Sequence, residues 1–390
     1  MDIRVLNAEE KEQAGYIWSL AFSHGSYGNE DGDISSDPEW GGTYTCGVFD
    51  EAGLQAVVVV NDYRIYLGAE VVVPMGGIGG VASLPASRGK GYAGKCLQFS
   101  LEKMRETGHI TSMLYPFSWD YYRRFGWEWI GTTRKYKVRS SSLKGDPETE
   151  KVRQATEADF PTIQHVYETF AKRYRGCMVR NEQGWNMLKH RKNRYTVTYI
   201  YEHEGQVEGY IVYRGDKEEE TEIREFISLT GRAQRALLGL LRRHDMQVKC
   251  FTWSAPLDDS FWSQQFHWDH STTLEAVPMG RVVDMVKATE AWRPDVTVKG
   301  STVFALQDSH APWNEGTWRA EFEGGEVRVK PSTATPQLTL DIQAFSQVYL
   351  GTPNLESIRF ADRIRVHDEA GYRAFTDLFR GPLMWINDGF

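Results

Sequence analysis

The chain has 390 residues, 41% of them hydrophobic and 25% charged, with a net charge of −8. That length exceeds one ordinary core and predicts two or three domains, while the acidic balance argues against a nucleic-acid-binding surface and suits a cleft that attracts cationic amines. Cys46, Cys96, Cys177 and Cys250 show no metal-ligand spacing, and no apolar run opens the chain or reaches membrane-spanning length, so a soluble, reduced, intracellular protein is expected, with no membrane partner.

Residues 2–7 alternate as a first strand, and 8–22 form an amphipathic helix with Ile17, Leu20 and Ala21 on one side. The polar segment 23–40 carries Glu30, Asp31 and Asp33 beside glycines and reads as a loop that shapes a substrate site. Trp18 and Trp40 are core or cleft-wall candidates. Apolar runs 43–49 and 54–61 flank Asp50-Glu51-Ala52-Gly53, a hairpin signal, and 63–73 supplies another strand. Residues 76–84 (GGIGGVASL) lead into a short apolar strand; Pro85 at its end cannot donate to a ladder, so that edge is expected to splay and leave a slot.

Next comes the turn Arg88-Gly89-Lys90-Gly91-Tyr92-Ala93-Gly94, after which Cys96, Leu97, Leu101 and Met104 recur at helical spacing. The pattern predicts a helix starting near Gly91. A glycine-rich turn feeding a helix N-terminus is an anion site, because its N–H groups and the positive end of the helix dipole point outward and glycine permits close approach. A strand at 112–115 follows, then Tyr122-Arg123-Arg124-Phe125-Gly126-Trp127.

The chain turns polar at 140–150 (SSSLKGDPETE), a first boundary, and the pattern of strand, helix and strands then begins again. Residues 152–157 with a helical run to Phe170 echo residues 3–8 and their helix. Strands at 195–201, 207–213 and 221–228 and a helix at 231–244 complete the second copy. It lacks an Arg-x-x-Gly-x-Ala turn, its helix opening instead with Leu229-Thr230-Gly231-Arg232-Ala233. A second boundary lies at 289–294. Short strands at 302–306, 317–322, 326–330 and 337–340, followed by helices at 342–350 and 370–379, suggest a compact α+β layer.

Arg88-x-x-Gly91-x-Ala93 on a strand, turn and helix resembles the coenzyme A signature of the GNAT acetyltransferase family, and Tyr122 with Phe125-Gly126-Trp127 resembles the element that closes the GNAT site. The whole chain resembles the Eis-type (enhanced intracellular survival) branch, in which two GNAT-like units and a sterol-carrier-like domain end in phenylalanine, as this chain does at Phe390. The fold class implied is α/β (α+β): a tandem duplicated GNAT fold, then a sterol-carrier-protein-like domain. The expected divisions are 1–147, catalytic and acetyl-CoA binding; 148–290, without a cofactor motif; and 291–390, carrying a catalytic C-terminus. The resemblance further implies a cytoplasmic homo-oligomer, a hexamer, acting on a primary amine of a cationic small molecule (aminoglycoside or polyamine-like) or a lysine side chain.

Acetyl transfer from acetyl-CoA needs a grip on the diphosphate, polarisation of the thioester carbonyl, a proton donor and a base. Arg88 and the backbone of Gly89, Lys90, Gly91, Tyr92, Ala93 and Gly94 are the candidates for the diphosphate. Val81, Ala82 and Ser83 are candidates for strand-like pairing with the pantetheine arm, one N–H facing the carbonyl. Phe117 and Ser118 occupy positions that contact the cofactor in the family. Tyr122 is the candidate general acid, since a phenol of pKa about 10 stays protonated at neutral pH and can donate to a departing thiolate. The base is implied by resemblance alone: the α-carboxylate of Phe390, with Asp388 nearby. Rival readings are a tandem-GNAT acyl or aminoacyl transferase using another donor, and a lipid-binding protein with a vestigial GNAT unit. His267-Trp268-Asp269-His270 offers no matching third zinc ligand, so no metal is expected, and Gly77-Ile78-Gly79-Gly80 lacks the partners of a dinucleotide motif.

Overall fold

The computed structural model describes residues 1–22, 43–69, 71–189, 196–214 and 219–389. Glu30, Asp31, Asp33 and Trp40 of the acidic loop, and the terminal Phe390, lie outside the described residues. The chain divides into two compact units: Met1–Gly131 with Pro278–Pro382 and the stretch from Asp388, and Thr132–Val277 with Leu383–Asn387.

The first unit opens with β1 (Asp2–Val5), α1 (Glu10–Ala21), β2 (Tyr44–Asp50), β3 (Gly53–Leu67), β4 (Val72–Ser83), α2 (Tyr92–Glu106), β5 (Thr111–Leu114), α3 (Trp119–Arg123) and β6 (Glu128–Trp129). β3 is one unbroken 15-residue strand. The sequence pattern suggests two strands there, but the ladder to β4 runs on through Asn61 opposite Gly77 and Asp62 opposite Gly76; the reversal comes later, where Gly68 and Ala69 adopt positive φ values of 98° and 46°. Alternation along β3 serves two cores at once. Val58 and Val60 join Cys96, Leu97, Leu101 and Met104 of α2, whereas Val57 and Val59 join Ala14, Ile17 and Trp18 of α1. A sheet covered on both faces reads as a continuous apolar run, and each such side chain contributes about 1.5–3 kcal/mol by leaving water.

The second unit comprises β7 (Thr132–Arg139), β8 (Val152–Gln154), α4 (Phe160–Ala171), β9 (Arg175–Met178), α5 (Glu182–Lys189), β10 (Thr196–His203), β11 (Gln206–Arg214), β12 (Glu220–Ser228), α6 (Gly231–Arg242), β13 (Cys250–Ala255), α7 (Phe261–Gln264) and β14 (Ser271–Ala276). Its seven-stranded sheet runs β14-β7-β13-β12-β11-β10-β8. The core under α6 holds Ala233, Ala236, Leu237, Leu238 and Leu241 against Tyr136, Phe251 and Phe261.

The remainder returns to the first unit with β15 (Met279–Val282) and α8 (Met285–Ala291). It continues through β16 (Gly300–Gln307), β17 (Gly316–Glu323), β18 (Glu326–Pro331), β19 (Leu338–Asp341), α9 (Ile342–Leu350), α10 (Leu355–Phe360), β20 (Ile364–Val366) and α11 (Glu369–Phe379). β15 pairs antiparallel with β5, Met279 opposite Leu114, and with β6. The sheet of the first unit therefore runs β1-β2-β3-β4-β5-β15-β6, and a five-stranded sheet, β18-β17-β16-β19-β20, carries the α+β layer.

Candidate active site

The site begins where two parallel strands part. β4 and β5 pair only from Met75 opposite Thr111 to Ile78 opposite Leu114; β5 then ends, while β4 continues to Ser83. Among the described residues, the edge of Gly79–Ser83 facing away from β3 has no strand partner. The sequence suggests Pro85 as the cause of the splay, but the strands separate well upstream of it because β5 stops and its chain turns toward α3. A bulge sharpens the divergence: Val57 opposes Ala82 and Val59 opposes Gly79, so β4 carries one residue more than β3. Gly80 occupies it with φ 53°. A side chain there would meet Trp18 Nε1 and a Val59 methyl at 2.9 Å, and Trp18 Nε1 donates to Gly80 O at 2.7 Å. Val81 then faces the α2 core and Ala82 the α1 core.

After the one-turn segment Pro85–Ser87, Arg88 is extended and exposed, and Gly89 and Gly91 hold φ values of 81° and 79°. Among the described residues, neither glycine has a heavy atom beyond its own and its chain neighbours' within 4 Å of where a Cβ would stand, so it is the backbone conformation and not crowding that demands glycine. Gly91 is the N-cap of α2 and offers no side chain to the first-turn N–H groups of Tyr92, Ala93 and Gly94. These donors and the exposed Lys90 make a positive, open helix terminus that fits a diphosphate. Tyr92 donates its hydroxyl to Asp50 at 2.9 Å; that contact pushes its phenol up, while the Ala52 N–H, with Tyr92 adding, holds the Asp50 carboxyl down. At Gly94 a Cβ would lie 2.6 Å from the Phe125 ring, so glycine lets α2 approach the segment after α3.

Tyr122 on α3 is 3% exposed. Its ring meets Phe117 and Tyr121 edge-on, each with centroids 5.3 Å apart. It shares one apolar cluster with Ile78, Cys96, Leu97, Leu114 and Trp127, against which Val81, Tyr92 and Ala93 pack. The fold thus brings the tyrosine, the free strand edge and the start of α2 together. Phe117 is 72% exposed, and the partly exposed Ser118 is the N-cap of α3 without a side-chain hydrogen bond. Burial pushes the Tyr121 phenol up, with a neighbouring Cys96 adding. Tyr115, which sequence reasoning left without a role, donates its hydroxyl to the Asp388 carbonyl at 2.6 Å; burial, then the Asp388 charge, raises its phenol as well. Sequence reasoning also missed Arg281, whose terminal nitrogen donates to Phe125 O just past α3. No local signal identifies an arginine from a four-residue strand so far along the chain.

The second unit repeats the topology with different chemistry. β12 and β13 pair in parallel only from Glu220 opposite Cys250 to Glu222 opposite Thr252, and then part. Its helix α6 is capped by its own Thr230, whose side chain accepts from Ala233 N at 3.2 Å and donates to Glu208 at 2.7 Å. The cavity at this terminus is lined by Asp258 and Asp259.

Residues 2–130 and 176–282 each match the family described as Acetyltransferase (GNAT) domain, and 282–387 match the Sterol carrier protein domain. A curated relative from Streptomyces avermitilis, an uncharacterized N-acetyltransferase, is 24% identical over 374 residues, 88% of each chain. Among solved structures, a conserved protein from Enterococcus faecalis is similar over 100% of this chain and 99% of that one, with 24% identity and a TM-score of 0.89. Eis1 from Mycobacterium abscessus is similar over 100% of both, with 19% identity and a TM-score of 0.80. The chain is therefore a GNAT acyltransferase, two acetyltransferase domains in tandem followed by a sterol carrier protein domain.

Proposed function

We propose that the chain is an Eis-type N-acetyltransferase that moves acetyl from acetyl-CoA to a primary amine of a cationic small molecule, aminoglycoside or polyamine-like, or of a lysine side chain. The observation that carries this reading is the conjunction in the first unit of a strand edge at Gly79–Ser83 that is unpaired among the described residues, a glycine helix terminus at Gly91 without a side-chain cap and the buried Tyr122 in one cluster with both. Acetyl-CoA, when bound, supplies an acetyl group activated as a thioester. The chain's own part is to hold and to move protons. The N–H groups from Gly89 to Gly94, with Arg88 and Lys90, neutralise the diphosphate; Val81, Ala82 and Ser83 offer backbone hydrogen bonds along the free edge, one N–H standing for the carbonyl oxygen whose charge grows during attack. Phe117 and Ser118 flank the same arm.

Tyr122 holds a proton for the departing thiolate. The acceptor arrives as an ammonium and must lose a proton before its nitrogen can attack, and in this reading the carboxylate of the last residue, Phe390, accepts it, directly or through water. Tyr115 supports this assignment by tying Asp388 into the first unit, two residues before the chain's end. The second GNAT domain serves as a scaffold without cofactor, because Thr230 satisfies its own helix terminus and carboxylates line the adjoining cavity. Domain divisions at 1–147, 148–290 and 291–390, a cytoplasmic location and a hexameric homo-oligomer belong to the same proposal. Among the described residues no helix is long and apolar enough to cross a membrane.

Thiol release from acetyl-CoA is to be measured with aminoglycosides, polyamines and lysine peptides as acceptors. Turnover with a cationic amine is expected. Release with none of them, alongside calorimetry showing no acetyl-CoA binding, rules the reading out in favour of another donor.

A further inference from the structure

The turn after α7 holds His267-Trp268-Asp269-His270 in the second unit. We propose that this turn is a binding site for a divalent transition-metal ion, with His267, Asp269 and His270 as ligands. Viewed in sequence the motif has two histidines and no distant third partner. The turn's conformation supplies the third from within: one ligand atom from each of the three residues lies within 4.8 Å of the other two, and the two imidazole centroids stand 5.4 Å apart.

His270 gives the second, independent observation. It is 6% exposed, and its Nδ1 faces the carbonyl oxygen of Gln265 at 2.9 Å. A carbonyl only accepts, so Nδ1 carries the hydrogen and Nε2 is left with a bare lone pair. Nε2 is buried and has no hydrogen-bond partner among the described residues. A buried polar atom without a partner is costly in a native structure, and a metal ion satisfies an imidazole lone pair that a neighbouring carbonyl has oriented in this way.

The other two ligands are held from behind. Asp269 accepts from Ser142 Oγ at 3.1 and 3.0 Å and faces Arg139 Nε at 3.4 Å, while its Oδ1 touches His267 Nδ1. The His267 side chain retains 38% of its exposure, which leaves an approach from solvent. Two imidazoles and one carboxylate suit Zn²⁺ and its first-row neighbours; Ca²⁺ and Mg²⁺ prefer all-oxygen shells.

The test uses full-length protein without a histidine tag, stripped with a chelator and titrated with Zn²⁺ by calorimetry and with Co²⁺ by its visible absorption. One equivalent is expected to bind and to raise the unfolding temperature. Because His270 is part of a core and its removal can unfold the unit, the deciding variants are the more exposed His267→Ala and Asp269→Asn, each expected to weaken Zn²⁺ binding by about tenfold or more. Absence of saturable Zn²⁺ binding, or binding that survives either substitution unchanged, overturns the proposal.

Discussion

Arg281, on β15 with no exposed surface, holds both carboxylate oxygens of Asp308 at 2.8 and 2.6 Å, while its other terminal nitrogen donates to the carbonyl of Phe125. Asp308 belongs to the sterol carrier stretch and is itself held by Asn314 at 2.9 Å and Ala311 N at 3.2 Å. Arg281 thereby links the sterol carrier stretch, through Asp308, to the chain just past the tyrosine helix. Gly126 has φ 88°, and a Cβ there would collide with the guanidinium. Asp308→Asn or Arg281→Met should each destabilise the protein by about 3–5 kcal/mol, because one partner is left buried and uncompensated. Arg281→Lys should not restore stability, since one ammonium cannot reach both Asp308 and Phe125 O in the same fork. Urea unfolding of the variants checks this; losses below about 1 kcal/mol would show that the pair is not the clamp described.

Tyr122→Phe keeps the ring in its cluster and removes only the hydroxyl. Turnover should fall roughly a hundredfold or more, with little change in acetyl-CoA affinity. Tyr121→Phe should do much less. Stopped-flow thiol release and calorimetry separate the two quantities, and exchanged behaviour of the two variants would transfer the acid role to Tyr121.

Gly91 separates conformation from charge. Open space surrounds its missing Cβ, so Gly91→Ala should weaken acetyl-CoA binding only through the strained φ of 79°, whereas Gly91→Asp adds a carboxylate beside the diphosphate and should weaken it far more. Gly231→Asp, in the first turn of α6, should leave affinity unchanged. Equal losses at Gly91 and Gly231, read by calorimetry, would mean that both domains bind the cofactor.

A few residues appended after Phe390 convert its carboxylate to an amide and move the charge away, whereas an N-terminal tag does not. The extended protein should fold and bind acetyl-CoA yet transfer slowly. Tyr115→Phe releases the Asp388 carbonyl and should lower turnover in the same direction with a smaller effect. Comparable rates for the two tagged forms at equal thermal stability would send the search for the base to Glu30, Asp31 and Asp33.

Glu148 accepts the hydroxyl of the buried Tyr201 and pairs with Lys151 at 2.9 Å, contacts that hold its carboxyl down at about 2 against an ordinary 4.5. A depressed carboxylate stabilises fully above its unfolded value and loses that contribution as pH falls through its folded one. The unfolding temperature should therefore drop on acidification from about pH 4.5 toward 2. Glu148→Gln should flatten that part of the profile, and an unchanged slope would remove Glu148 from the account.

Local chemistry was legible in the chain. Glycine at a position needing φ of 79°, followed by apolar residues at 3.6-residue spacing, located the start of α2, and the same periodicity written twice announced tandem domains closed by an α+β layer. These are signals within one turn or one helix face, where neighbours in sequence are neighbours in space. Partnership between strands is different. Nothing in Met279–Val282 says that it will lie between β5 and β6, or in Thr132–Arg139 that it will lie between β13 and β14, because a strand satisfies its backbone equally well on many edges. The point where β4 leaves β5, the bulge at Gly80 and the grip of Arg281 on Asp308 all depend on such choices. They were decided by which edges and faces remained to be buried once the sheets had formed.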